Sequence, residues 1–148
     1  MVTQVAFAKG VLDEIVGAAA ASPEEVCGLL FGAPARVGAA LPCRNVAADP
    51  ATRFEIDPAA LIAAHRRARA GGPRIVGCYH SHPGGSPEPS RQDAADAAPN
   101  GWLWLIVGAG EAGLFRAVEG GPIHGRFEKL IVEHPSPAKA GAQLQRSS

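Results

Sequence analysis

Residues 83 to 89 read Pro83-Gly84-Gly85-Ser86-Pro87-Glu88-Pro89, a loop made almost entirely of turn formers. Its prolines remove backbone donors and fix φ while its glycines add freedom, so neither a helix nor a central strand can run through it. The element before it must stop near Ser81, and the one after it must begin near Ser90. Arg74 to Ser81 (RIVGCYHS) is apolar and β-branched enough to be a strand, and Ser90 to Ala98 (SRQDAADAA) is a short helix capped by Ser90. The same punctuation recurs along the chain, with 18 Gly and 13 Pro in 148 residues. With 47% hydrophobic residues disorder is not the explanation, so many short elements joined by sharply defined turns are expected.

The remaining elements follow from periodicity. Thr3 to Phe7 alternates as a short strand. Lys9 to Ala21 carries Val11, Leu12, Ile15, Val16 and Ala19 at helical spacing and ends at Ser22-Pro23. Glu25 to Phe31 (EVCGLLF) is a compact apolar run that reads as a buried strand, paired with Arg36 to Val46 through a turn at Gly32-Ala33-Pro34. Arg53 to Ile56 reads as a third, brief strand. Asp57-Pro58 opens a helix that continues to Ala70 and stops at Gly71-Gly72-Pro73. Trp102 to Val107, Ala112 to Val118 and Ile123 to Val132 are three further strands. The order predicts an α/β (α+β) domain, a single mixed β-sheet flanked by helices. One domain over residues 1–134 and a flexible C-terminal tail over 135–148, rich in Pro, Ala, Gln and Ser, are expected.

The 14 basic residues balance the 14 acidic ones. Zero net charge removes the broad attraction on which nucleic-acid and anionic-membrane binders depend, so neither partner is expected. The leading MVTQVAFAKG lacks a basic n-region followed by a long apolar run, and no window approaches the roughly 18 apolar residues of a membrane span. The protein therefore reads as cytoplasmic. Cys27, Cys43 and Cys78 form no C-x-x-C pair and sit in or beside apolar runs, as small buried hydrophobes in a reducing compartment. A chain of this length needs no structural metal, which leaves any bound metal free for chemistry.

Chemistry-bearing side chains concentrate around the loop. Side chains on a strand repeat every two residues, so His80 and His82 project from one face as a natural pair of imidazole ligands. Asp93 lies about one turn into the helix that begins at Ser90, where the loop can fold it back over the strand end. Two nitrogens and a carboxylate suit zinc and leave a fourth position open. Ser90 and Asp93 also have the spacing of a helix cap with a favourable first-turn acid. Hydrolysis at such a centre needs a base, for which Glu24, Glu25, Glu55 and Asp57 are the candidates. Glu25 stands out because it leads into a buried strand, whereas Glu24 reads as a solvated turn residue. His65, His124 and His134 read as surface or structural.

His80-Ser81-His82-Pro83 with Ser90 and Asp93 downstream matches without a gap the signature of the JAMM/MPN+ zinc metalloprotease family. The upstream Glu25-Val26-Cys27-Gly28-Leu29-Leu30 resembles that family's glutamate-bearing strand. Asn45-Val46 and Phe54-Glu55-Ile56-Asp57-Pro58 are similar to the stretch that links the two motifs in compact bacterial members, and the likeness spans Val5 to Val132. It implies the MPN/JAMM-like (cytidine-deaminase-like) fold, with one Zn2+ per chain held by His80, His82 and Asp93. It further implies Glu25 as general acid/base and Ser90 as hydrogen-bond donor to the oxyanion. The implied activity is that of a metallopeptidase or isopeptidase cutting after the C-terminal Gly-Gly of a ubiquitin-like or sulfur-carrier protein, acting as a monomer or homodimer. The short 83–89 loop, without the insertions of eukaryotic deubiquitinases, favours a small prokaryotic carrier. Relatives without the ligands are metal-free scaffold or interaction modules, which is the alternative.

Two patterns point elsewhere and fail on context. Gly108-Ala109-Gly110-Glu111-Ala112-Gly113 has the spacing of a dinucleotide-binding loop, but Gly120-Gly121-Pro122 follows within two helical turns, so it reads as a hairpin turn. Arg66-Arg67-Ala68-Arg69 reads as a solvated helix face.

Overall fold

The computed structural model describes residues 3–133; His134 and the expected tail over 135–148 lie outside the described residues. Among the described residues the order is β1 (Gln4–Phe7), α1 (Val11–Ala20), β2 (Cys27–Ala33), β3 (Arg36–Cys43), α2 (Pro58–Arg69), β4 (Ile75–Ser81), α3 (Arg91–Asp96), β5 (Leu103–Gly108), β6 (Glu111–Gly121) and β7 (Gly125–Glu133). The strands form one mixed sheet in the order β1-β3-β2-β4-β5-β6-β7. β1 runs parallel to both β3 and β7, so the expected mixed sheet closes on itself as a barrel. Helices flank it, as expected. No helix among the described residues is long and apolar enough to cross a membrane.

Alternation along the strands divides the core. Leu103, Leu105 and Val107 of β5 join Phe7, Leu30, Tyr79 and Leu114 in packing against Val11 and Ile15 of α1. The intervening Trp104 and Ile106 face the other side with Cys78, Phe115 and Phe127, where Ala94 of α3 and Ala97 beyond it cover them. Leu29 and Phe31 of β2 extend this second side under Ala64 and Leu61 of α2. β5 is buried on both faces, which accounts for its continuous apolar run LWLIVG.

The helix ends obey their local chemistry. Asp57 caps α2 by accepting from the Ala59 N–H at 3.0 Å, with Pro58 at the first helical position and Arg66, Arg67 and Arg69 in the last turn. Those arginines sit where the helix dipole favours cations. The hairpin turn between β5 and β6 places Ala109 and Gly110 at φ 54° and 76°, the left-handed pair of a tight β-hairpin. The glycine-rich segment is therefore a turn, as its context required.

Arg53 to Ile56 is not a strand, and β3 ends at Cys43 instead of Val46. One isolated bridge, Asn45 to Ile56, is all the pairing that this segment makes. The Asn45 side chain takes the place of a ladder: its Oδ1 accepts from the Ala47 and Glu55 N–H groups, both at 3.0 Å. An asparagine that satisfies backbone donors locally competes with regular pairing.

Candidate metal centre

The site grows from the antiparallel register of β2 and β4, in which Cys27 stands opposite His80 and Gly28 opposite Tyr79. Continued past the start of β2 and the end of β4, that register brings Val26 to Ser81 and Glu25 to His82. Two hydrogen bonds hold the extension: the Val26 N–H donates to Ser81 Oγ at 2.9 Å, and the Ser81 N–H donates to the Val26 carbonyl at 3.1 Å. Because side chains alternate, Glu25 shares its face with His80 and His82. On the other side of β4, the His82 N–H donates to the Val107 carbonyl of β5 at 2.7 Å, so His82 is fixed although it lies beyond the strand.

Asp93 arrives on α3. Ser90 caps this helix by accepting from the Asp93 N–H at 3.0 Å, and the Ser90 N–H donates back to Asp93 Oδ2 at 2.9 Å. This reciprocal box orients the carboxylate toward the histidines. His80 Nε2 and His82 Nε2 lie 3.1 Å apart, and each is 3.1 Å from an oxygen of Asp93.

The loop that spans His82 and Ser90 is seated on glycine. A Cβ at Gly108 would strike the backbone of Gly85 and Ser86, and one at Gly113 would strike the Pro87 carbonyl. The bare backbone of the β5–β6 hairpin thus lets the loop lie directly across it. In that position the Ser86 carbonyl accepts from His82 Nδ1 at 3.0 Å. A carbonyl can only accept, so Nδ1 carries the proton and the Nε2 lone pair of neutral His82 faces the centre.

This donor set fits a metal ion. With both histidines neutral and protonated at Nδ1, three lone-pair atoms converge with nothing between them. The buried His80 Nδ1 has no hydrogen-bond partner, so the ring's polar contacts are those of Nε2 with His82 and Asp93. Burial lowers the His80 pKa in spite of Asp93, which keeps the ring neutral as a ligand must be. Burial also opposes charge on His82, but hydrogen bonds to Asp93 and Ser86 and the Asp93 and Glu25 charges outweigh it and raise its pKa. For Asp93 in the metal-free protein, burial is outweighed by Nε2–H donation and charge from the histidines whenever they carry that proton, together with the Ser90 N–H, so its carboxyl stays well below the usual range. Phe54 stacks on the His80 ring, 4.2 Å between centroids and 17° between planes, and closes it from solvent.

Beside the ligand atoms lies a cleft of about 270 Å³ bordered by Glu25, Phe54, His82, Ser90 and Asp93. Glu25 is 7% exposed. Burial pushes its carboxyl up to about 7, with His82 opposing and Asp93 adding to the shift, which is where a proton shuttle at neutral pH operates best. Of the other carboxylates considered, Glu24 and Glu55 are exposed and Asp57 caps α2. His65 and His124 lie outside the cluster, His124 donating from Nε2 to the Pro89 carbonyl at 3.2 Å. Burial raises the Cys27 thiol to about 12 and Cys78 well above its usual value, so both are inert and protonated.

The structure brings together Glu25, His80, His82, Ser90 and Asp93 around one cleft. Phe54, Asn45, Ser86, Gly108 and Gly113 were not legible as parts of the site. Asn45 and Phe54 carried a signal only through the resemblance of the linking stretch, and the glycine spacing of the last two pointed to the wrong motif.

A His-His-Asp cluster at the end of a strand, a buried glutamate opposite it and a capped helix behind mark a candidate metal site on a domain of the JAB type. The family model described as prokaryotic homologs of the JAB domain matches residues 8–119, and the chain belongs to that family. It is 44% identical over 92 residues to the Desampylase of Haloferax volcanii, a match covering 61% of this chain and 66% of that protein, just under two thirds of its length. It is 35% identical over 106 residues to the Desampylase of Pyrococcus furiosus, covering 72% and 74% of the two chains. A solution structure from Salinibacter ruber superposes with a TM-score of 0.62 at 30% identity over 90% of this chain and 93% of that one. One from Desulfitobacterium hafniense shares the fold at a TM-score of 0.73 and 24% identity, over 89% and 93%.

Proposed function

We propose that this chain is a zinc-dependent metallopeptidase or isopeptidase that hydrolyses the bond after the C-terminal Gly-Gly of a ubiquitin-like or sulfur-carrier protein in the cytoplasm. The observation that carries the metal-dependent reading is the mutual 3.1 Å approach of His80 Nε2, His82 Nε2 and an Asp93 carboxylate in the cleft that also holds Glu25. Bound zinc supplies a Lewis acid that polarises a carbonyl and makes water acidic near neutral pH.

The chain's own residues supply the rest. His80, His82 and Asp93 hold the ion. Glu25 takes a proton from the attacking water and returns it to the leaving nitrogen. The Ser90 oxygen accepts from the Asp93 N–H, which leaves its hydroxyl hydrogen to donate to the oxyanion that develops on the scissile carbonyl. A cleft of about 270 Å³ suits an extended tail without side chains, and the seven-residue 83–89 loop adds no wall for a larger modifier. The name of the two relatives, desampylase, supports this substrate class.

Metal analysis combined with incubation on Gly-Gly-terminated carrier proteins, fused to a peptide or to cysteine and read by mass spectrometry, tests the proposal. About one equivalent of zinc and release of the fused group are expected. Glu25→Gln is expected to keep zinc and lose about 10²-fold or more in turnover. Protein with less than about a tenth of an equivalent and no uptake on titration would return the chain to the metal-free scaffold class.

A further inference from the structure

Glu25 and Val26 precede β2, which begins at Cys27, so no strand ladder fixes the segment that carries the glutamate. Its polar backbone groups are nevertheless paired. Val26 is held by Ser81, and the Glu25 N–H donates to the Pro50 carbonyl at 2.8 Å. The Glu25 carbonyl accepts from Asn45 Nδ2 at 2.9 Å. The same amide nitrogen donates to the Arg53 carbonyl at 3.0 Å and approaches the Pro50 carbonyl at 3.4 Å, while its Oδ1 accepts from Ala47 and Glu55. One side chain thus ties the backbone of Glu25 to both ends of the segment whose Phe54 covers His80.

We infer that Asn45 is a positioning residue for Glu25. This rests on the proposed proton-transfer role of Glu25. The division of labour within the amide makes the inference specific. The oxygen serves the 45–57 segment alone, and the nitrogen joins that segment, through the Arg53 carbonyl, to the Glu25 carbonyl. Aspartate has the same shape and keeps the two acceptor bonds, but it turns the donor into a carboxylate oxygen facing the Glu25 and Arg53 carbonyls. The Glu25 carbonyl then loses its side-chain donor, and the Arg53 carbonyl loses the same one, while the Ala47 and Glu55 N–H bonds to the side-chain oxygen remain. A displacement of the carboxylate by about 1 Å is enough to cost up to about 10²-fold in rate.

The experiment compares native protein, Asn45→Asp, Asn45→Ser, Glu25→Gln and the Glu25→Gln/Asn45→Asp double variant, all zinc-loaded, with a Gly-Gly-linked carrier fusion as substrate. Asn45→Asp is expected to keep zinc and to lower kcat by about tenfold to 10²-fold, with KM changing by less than about threefold. In the Glu25→Gln background the same change is expected to cost less than about twofold, because both act on one proton transfer. Hydrogen exchange on the metal-free proteins gives a readout independent of turnover: the Val26 N–H, in the same peptide unit as the Glu25 carbonyl, should exchange faster in Asn45→Asp, while the Glu55 N–H keeps its protection. Asn45→Ser, which removes the same donor without placing a carboxylate against the Glu25 and Arg53 carbonyls, should follow Asn45→Asp in kcat if the latter fails to fold. A kcat within about twofold of native in both variants, with Glu25→Gln impaired, would overturn the inference and leave the proposed function standing. Losses that multiply in the double variant, or an unchanged Val26 N–H, would also overturn it. Native turnover in Glu25→Gln would overturn the proposed function itself.

Discussion

Gly108→Ala tests whether the seat of the 83–89 loop controls the proposed metal centre. Gly108 does not occupy the left-handed region, so alanine introduces no backbone strain and the effect is steric. The new Cβ would lie 2.5 Å from the Ser86 carbonyl carbon and 2.6 Å from its oxygen, where ordinary contacts begin at 3.4 Å. The closest contact, 2.4 Å to the Gly85 carbonyl oxygen, requires the loop to withdraw by about 1 Å. The Ser86 carbonyl holds His82 Nδ1 at 3.0 Å, and most of that withdrawal carries the pair past the range of a useful hydrogen bond. His82 then loses the partner that fixes its tautomer and ring orientation, a loss that typically weakens metal binding about 10–100-fold. Overpacking adds about 1–3 kcal/mol of destabilisation. Zinc affinity measured by competition with a chromophoric chelator, alongside a thermal melt, checks both. Gly110→Ala is the control: its Cβ meets nothing within 4 Å but its φ is 76°, so it should lose stability by about 1 kcal/mol and keep native zinc affinity. Native zinc affinity in folded Gly108→Ala would refute the reasoning, as would equal weakening in both variants.

Ser90→Ala removes an acceptor from the Asp93 N–H as well as the hydroxyl donor; kcat should fall by about 10²-fold or more, and thermal stability by about 1 kcal/mol, with a loss confined to the melting curve assigning Ser90 to capping alone. Chelator-treated protein should be most stable in a window set by Asp93 and His82. The Asp93 pKa is depressed on folding, so its contribution is present above the unfolded value of about 4 and is lost on acidification through the lower folded value. The His82 pKa is raised, so its contribution is complete below about 6.5 and is lost as pH rises through the higher folded value. Melting temperatures against pH should therefore fall on both sides of mildly acidic pH in the metal-free protein, and a melting temperature that rises steadily from pH 6 to 8 would contradict the His82 assignment.

What was legible in the sequence was whatever depends on near neighbours. The helix of Pro58–Arg69 announced itself through Asp57 and Pro58, and the box of Ser90 and Asp93 through spacing. His80 and His82 share a face because a strand has a period of two. Contacts between distant segments were not legible. Asn45, Phe54 and Glu25 meet through the 45–57 segment, whose apolar residues imitate a strand while a single asparagine satisfies its backbone. The closure of β1 onto both β3 and β7 is likewise a property of three segments at once. Glu25 could be ranked first among four carboxylates, yet its place opposite His82 follows only from the register of β2 on β4.

That register is itself the product of residues that weaken a strand when considered one at a time. Gly28 stands opposite Tyr79, whose ring lies across it so closely that a Cβ would collide with it and with the Leu41 carbonyl. Gly77 stands opposite Leu103, and a Cβ there would meet the Leu103 carbonyl. Each glycine is admitted because something else occupies the space of its missing side chain. A slip of one residue between β2 and β4 would carry Leu29 or Cys27 under the Tyr79 ring and turn every side chain of β2 to the opposite face. The same slip would move Glu25 away from His82 and break both hydrogen bonds between Val26 and Ser81. The glycines in the middle of two central strands therefore do more for the site than their lost β-propensity costs the sheet. They exclude the neighbouring registers, and the one that survives brings the glutamate and the two histidines to one face.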